Sequence, residues 1–184
     1  MSESDRIDAA IRQAEGLAAG HLPDPADPRL LRDALGRFAT GVALVTACDV
    51  DDGSPIAIVV NSFASVSLDP PLVLWSAARS SMRHRHFTAA PAFAIHILSE
   101  SQRNMTARFS RSGPGFEGLT LGRNGDGVPV LTDALARFDC VTEVLHEGGD
   151  HTIILGRVTR FDLQRDGQPL CFFGGGFGGF VPQR

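Results

Sequence analysis

A chain of 184 residues with 43% hydrophobic and 21% charged side chains has enough apolar material for one domain with a sizeable core. Its formal net charge of -4 argues against a nonspecific nucleic-acid surface, which needs concentrated positive charge. No run approaches the roughly 20 apolar residues of a membrane helix, the acidic, polar start is no secretory signal, and Cys48, Cys140 and Cys171 have no metal-ligand spacing, so the reading is a cytoplasmic protein with reduced thiols and no metal.

Residues 1–20 place Ile7, Ala10, Ile11, Ala14 and Leu17 at helical spacing and predict a helix, which the linker HLPDPADP (His21 to Pro28) breaks. The stretch 1–28 is read as an appendage, and the domain proper as 29–184. A short helix from Asp27 or Pro28 through Phe38 follows, ended by Thr40-Gly41, which feeds a strand from Val42 to Ala47. Asp51-Asp52-Gly53-Ser54-Pro55 has hairpin-turn composition and returns the chain through Ile56 to Val60.

The stretch from Val59 to Leu74, VVNSFASVSLDPPLVL, organises the rest. It begins as an apolar strand, becomes a small polar segment (Asn61, Ser62, Ser65, Ser67), and is re-aimed at Asp69-Pro70-Pro71, where the prolines lack backbone donors. Small side chains and free N–H groups let such a segment lie flat against an anion or the edge of a heterocycle. Composition alone equally allows a plain serine-rich loop. After a strand from Leu72 to Trp75, the polar run Ser76 to Arg85 enters a short helix with Ser80 or Ser81 as its cap. Arg79, Arg83 and Arg85 with these serines could receive a phosphate, or simply form a solvated helix face.

Phe93 to Leu98 (FAIHIL) is a strand in which His96 reads as structural, and a helix follows from about Ser101 to Phe109. His84 and His86, two apart, do not share a helix face. Gly113-Pro114-Gly115-Phe116 is loop, Leu119 to Val130 holds a short strand or two, and Ala134 to Glu147 is a strand with Phe138, Cys140, Val141 and Val144 as core candidates. His151 to Phe161 and Pro169 to Phe173 complete the strands, and the tail from Gly174 to Phe180 is too rich in glycine for regular core. It is neither a phosphate-binding loop nor a dinucleotide fingerprint, for it lacks the following Lys-Ser or Lys-Thr and a helix behind it. Six or seven short strands at close turn spacing favour a small barrel over alternating β-α units. His151 at the mouth of its strand, behind Gly148-Gly149-Asp150, can donate to a ligand heteroatom or serve as a surface turn residue. No Ser-His-Asp order or carboxylate pair stands out, which points away from hydrolysis and towards borrowed cofactor chemistry.

RFATGVALVT (from Arg37), NSFASVSLDPPLVL (from Asn61), RSSMR (from Arg79), FAIHILSESQ (from Phe93) and GDHTIILGRV (from Gly149) together resemble the short-chain flavin reductases of two-component monooxygenases, over roughly Leu30 to Phe180. The resemblance implies a mainly β fold, a six-stranded antiparallel split β-barrel with Greek-key character and short flanking helices. It implies a homodimer that binds FMN or FAD near the subunit interface, takes hydride from NADH or NADPH, and supplies reduced flavin to a partner oxygenase. Carried over residue by residue, Thr40, Gly41, Asn61, Ser62 and Phe63 line the flavin, Ser65, Val66 and Ser67 contact the ring edge or ribityl chain, and Ser80, Ser81 and Arg83 approach its phosphate. His151 sits by flavin and nicotinamide as the catalytic residue, and Phe180 closes the site. Asn61 stands where many relatives carry a small hydroxyl residue. A flavin carrier without efficient turnover and a split barrel for another ligand (haem or a pyridoxal-type cofactor) are the competing readings.

Overall fold

A computed structural model of the chain describes residues 20–110, 115–164 and 166–181, together with Arg6. The expected N-terminal helix, and Gly113-Pro114 of the expected loop, lie outside these residues except for Arg6 and Gly20. The chain divides into two compact units, residues 1–35 and 36–184. In the first, helix α1 (Arg29–Leu35) begins one residue after Pro28 and is shorter than the helix expected through Phe38.

The second unit is built of strands. Those described are β1 (Thr40–Gly41), β2 (Ala43–Cys48), β3 (Pro55–Val60), β4 (Ala64–Leu68), β5 (Pro71–Ala78), β6 (Ala92–Ile97), β7 (Leu121–Arg123), β8 (Pro129–Leu131), β9 (Ala136–Gly148), β10 (His151–Leu163), β11 (Leu170–Phe173) and β12 (Gly176–Gly179), with helices α2 (His84–Ala89) and α3 (Asn104–Ser110). The main sheet has seven strands in the order β3-β2-β6-β9-β10-β5-β4, and its pairings are all antiparallel. Two smaller sheets, β1-β11-β12 and β7-β8, flank it.

That order dictates a roll. β3 and β4 are consecutive in the chain but occupy opposite edges, joined only by Asn61, Ser62 and Phe63. Laid flat, seven strands would separate their edges by about 29 Å, whereas the link from Val60 to Ala64 reaches at most about 14 Å. The sheet must therefore curl until its edges approach at this corner, while β3 and β4 share no ladder. The result is an open, split barrel, as the sequence implied.

Alternation along β5 and β10 sends Val73, Trp75, Ala77 and Ile154 into the barrel, where they pack with Val45, Phe87, Phe93 and Ile95. Trp75 meets Phe87 edge-on with centroids 5.1 Å apart. A second cluster lies outside the barrel, where Leu44, Leu98, Met105, Phe109 and Leu170 pack together. His96 is fully buried, its Nδ1 3.1 Å from the Leu44 carbonyl, and its Nε2 accepts from the Leu131 amide at 3.1 Å. It is structural, as read from the sequence, and burial lowers its pKa from 6.5 to about 4. The three thiols are free, as expected.

Several sequence expectations need correction. The polar segment after Val60 is loop only as far as Phe63; Ala64 to Leu68 pairs with β5 as an edge strand, because backbone pairing demands amides rather than large side chains. The glycine tail is also a strand. Gly174 (φ 56) and Gly175 (φ 82) make the tight turn that folds β12 back on β11. Neither Ser80 nor Ser81 caps α2: its N-cap is Arg83, without a side-chain cap bond, and the Ser81 Oγ accepts from the Arg83 amide instead. Val144 is 39% exposed rather than core, since it lies on the outward face of β9 in register with Leu155.

Candidate functional site

Strand register defines one corner of the sheet. His151 opens β10 opposite Ala78, the last residue of β5, and the Arg79 amide donates to the Asp150 carbonyl at 2.9 Å. Gly149, at φ 68, makes the β9–β10 turn that presents this corner. The loop Arg79 to Arg83 is thereby held against the His151 turn. Within it, the Ser81 amide donates to Ala78 and the His84 amide to Ser81, both at 3.0 Å. Arg83 reaches the other way, its Nη1 donating to the Phe109 carbonyl at 3.1 Å, and burial lowers its pKa. The Arg79 guanidinium meets Glu147 at 3.3 Å.

Ser62 belongs to the same corner. Its Oγ accepts from the Ser76 amide at 3.0 Å, which fastens the link across the split onto β5. Ser76 precedes Ala78 by two residues, about 7 Å along the strand, and β10 lies about 4.8 Å across. An isoalloxazine-sized ring spans that separation. Phe63 points inward and stacks on Phe138 at 5.7 Å, so its ring belongs to the core and only its backbone faces outward. Ser65 and Val66 are exposed, Ser67 is half-buried, and a bulge between Ser65 and Ser67 leaves Val66 without a partner on β5.

Thr40 and Gly41 lie elsewhere, paired with Phe172 and Cys171 of β11. The Thr40 hydroxyl is buried without a partner. Beside this strand, Val42, Val59, Val60, Asn61, Phe172 and Phe177 line a cavity of about 200 Å³. Asn61 is the polar member of an apolar set, and Phe172 and Phe177 pack with centroids 5.2 Å apart. Phe180 is 57% exposed and follows β12 on the same hairpin. Asn61 and Ser62 are consecutive, so they connect the cavity to the His151 corner.

The His151 Nδ1 lies 2.7 Å from Asp150 Oδ1, and this partner lowers the Asp150 pKa. A carboxylate only accepts, so Nδ1 carries the proton and Nε2 is left to face a ligand, as acceptor in the neutral ring and donor in the imidazolium. The resemblance had placed Phe177 in the closing tail with Phe180, but the sequence reading did not pick out Phe172; its place on the other side of the Gly174-Gly175 turn was the available signal. Nor did it pick out His84, whose Nε2 lies 2.9 Å from the Thr152 hydroxyl; no sequence pattern links those two.

A rolled, split antiparallel sheet with a small-residue link across its split and an imidazole at the same corner is the architecture of a split-barrel oxidoreductase. Residues 35–180 match the family described as flavin reductase like domain, and the chain belongs to that family. It is 53% identical over 162 residues to the FMN reductase (NADH) SmoA of Agrobacterium fabrum, covering 88% of this chain and 91% of that one. It is 38% identical over 159 residues to the reductase subunit HsaB of a flavin-dependent monooxygenase from Rhodococcus jostii, covering 86% and 80%. The structure of the Streptomyces globisporus NADH:FAD oxidoreductase SgcE6 with NAD and FAD fragments superposes with a TM-score of 0.80 at 35% identity, covering 89% of this chain and 98% of that one. Some relatives are longer: the chain spans 44% of a Rhizobium meliloti relative that is 47% identical over 137 residues. The enzyme is thus an oxidoreductase of flavin-reductase type.

Proposed function

We propose that the protein takes hydride from NADH or NADPH to reduce FMN or FAD and hands the reduced flavin to a partner oxygenase, working as a cytoplasmic homodimer. The observation that carries this reading is the meeting of the Asn61–Ser62 link with the Ser80–Arg83 loop and His151 at one corner. The residues fit a flavin nucleotide: the Thr40 hydroxyl is an unsatisfied buried group, β4 is an edge with outward amides, and Ser80 and Ser81 supply hydroxyl donors for a phosphate.

When bound, the flavin supplies the chemistry, accepting two electrons and a proton equivalent as hydride from the nicotinamide. The protein's part is to bind and to orient. Ser62 fixes the link, and Asn61, Ser65, Val66 and Ser67 offer backbone and side-chain groups to the ring and ribityl chain. The hydroxyls of Ser80 and Ser81 hold the phosphate, and Arg83 fixes the end of their loop through its bond to the Phe109 carbonyl. His151, its Nδ1 proton held by Asp150, turns Nε2 towards the site and stabilises developing charge there. Phe180 lies where the C-terminal hairpin can cover the site.

The homodimer is supported by the outward face of β5, β10 and β9. Leu72, Leu74, Ile153 and Leu155 are only half-buried there, and Val144 is exposed, which makes an apolar face with His151 at its end. A second copy on this face would lie next to the His151 corner.

Absorbance at 340 nm with NADH or NADPH and excess FMN or FAD tests the activity. Many turnovers per protein are expected; a bound flavin that neither nucleotide bleaches would make the protein a carrier instead. His151→Ala should lower kcat/KM for the nicotinamide about tenfold, and near-full turnover in that variant would remove His151 from the mechanism.

A further inference from the structure

We infer that His84 is a positioning residue: its bond to Thr152 holds the Ser80–Arg83 loop in the shape that receives the flavin phosphate. The inference rests on the reading above. The loop is tied at its start to the β9–β10 turn and at its end to β10. At its start, the Arg79 amide donates to the Asp150 carbonyl at 2.9 Å. At its end, His84 Nε2 lies 2.9 Å from Thr152 Oγ1. Asp150 and Thr152 flank His151, so loop and imidazole share one hydrogen-bonded circuit.

Thr152 is 8% exposed and sits on the inward face of β10, opposite Ala77, while His151 takes the outward face. The anchor is therefore sheltered from solvent and separate from the surface that faces a ligand. Arg83, next to His84, is tied to a different element by its bond to the Phe109 carbonyl. With residue 83 bonded to α3 and residue 84 to β10, the end of the loop is fixed at two points. Ordering a free loop on binding would cost conformational entropy for each residue fixed, and a loop already held avoids that cost. Cutting the clamp should thus weaken the phosphate contact and leave the ring's contacts alone.

FMN and riboflavin differ only in the phosphate, so their dissociation constants, read from quenching of flavin fluorescence, isolate the effect. His84→Ala and Thr152→Val should each weaken FMN about fivefold to tenfold while riboflavin binding stays within twofold. Thr152→Ser, which keeps the hydroxyl, should bind FMN like the parent, and the His84→Ala/Thr152→Val double variant should be no worse than the weaker single. In turnover, the flavin KM should rise and kcat stay unchanged. Equal losses for FMN and riboflavin, multiplicative losses in the double variant, or a Thr152→Ser variant as weak as Thr152→Val would overturn the inference. Thr152→Val conserves side-chain shape and serves should His84→Ala fail to fold. Because the binding readout needs no turnover, a parent protein that binds FMN without oxidising NADH or NADPH would defeat the proposed function and still test the clamp.

Discussion

Burial, aided by the nearby Arg137 charge and opposed by the Leu44 hydrogen bond, decides how His96 behaves with pH. The ring is held neutral between the Leu44 carbonyl and the Leu131 amide, with a pKa of about 4 against the ordinary 6.5. In the unfolded chain it takes a proton first. Its contribution is complete above pH 6.5 and is lost as pH falls from 6.5 towards 4, where the unfolded state holds one more proton than the folded one. The span corresponds to about 3 kcal/mol. Urea unfolding at pH 7 and pH 4.5 should show a fall in the parent protein that is smaller in His96→Asn; equal falls would contradict this account. That His96 was structural could be read from its place in FAIHIL. Its partners could not, because Leu44 and Leu131 are 52 and 35 residues away.

Among the elements, the β9–β10 hairpin depends on a missing side chain. A Cβ at Gly156 would collide with the Phe93 ring, at a bulge between Leu155 and Gly156 where the sheet bends around the core. Gly156→Ala should therefore lower stability by about 2 kcal/mol. Gly178→Ala, whose Cβ meets nothing within 4 Å, should change it by less than about 0.5 kcal/mol. Chemical denaturation of both variants is the check, and equal stabilities would refute the packing argument. The run from His151 to Phe161 announced a strand, but nothing local marked Gly156 as the place where Phe93 crosses. β12 was missed for a related reason: glycine has low strand propensity, and only the turn at Gly174-Gly175 and pairing with β11 make Gly176 to Gly179 a strand.

For the molecule as a whole, the outward apolar face of β5, β10 and β9 carries the proposal of a homodimer. Leu155→Glu puts a charge in the middle of that face without touching the barrel interior. Light scattering should find a dimer for the parent and a monomer for the variant, with circular dichroism unchanged. A monomeric parent, or a dimeric variant, would dissociate this face from assembly. Among the described residues, no helix is long and apolar enough to cross a membrane.

Sequence determined the local alternatives: the short apolar runs that became β2, β3, β5, β6, β9 and β10, the turns at Asp51 to Pro55 and Gly149-Asp150, and the motifs that resemble flavin reductases. Those signals are local because alternation, glycine and proline act on the few residues around them. Tertiary structure alone decided which residues meet: that Asn61 to Phe63 bridge the two edges of a rolled sheet, that Ser62 fastens to Ser76, that Phe63 turns into the core, and that His84 finds Thr152. The physical reason is that register and closure are set by long-range backbone pairing and packing, which no window of neighbouring residues contains.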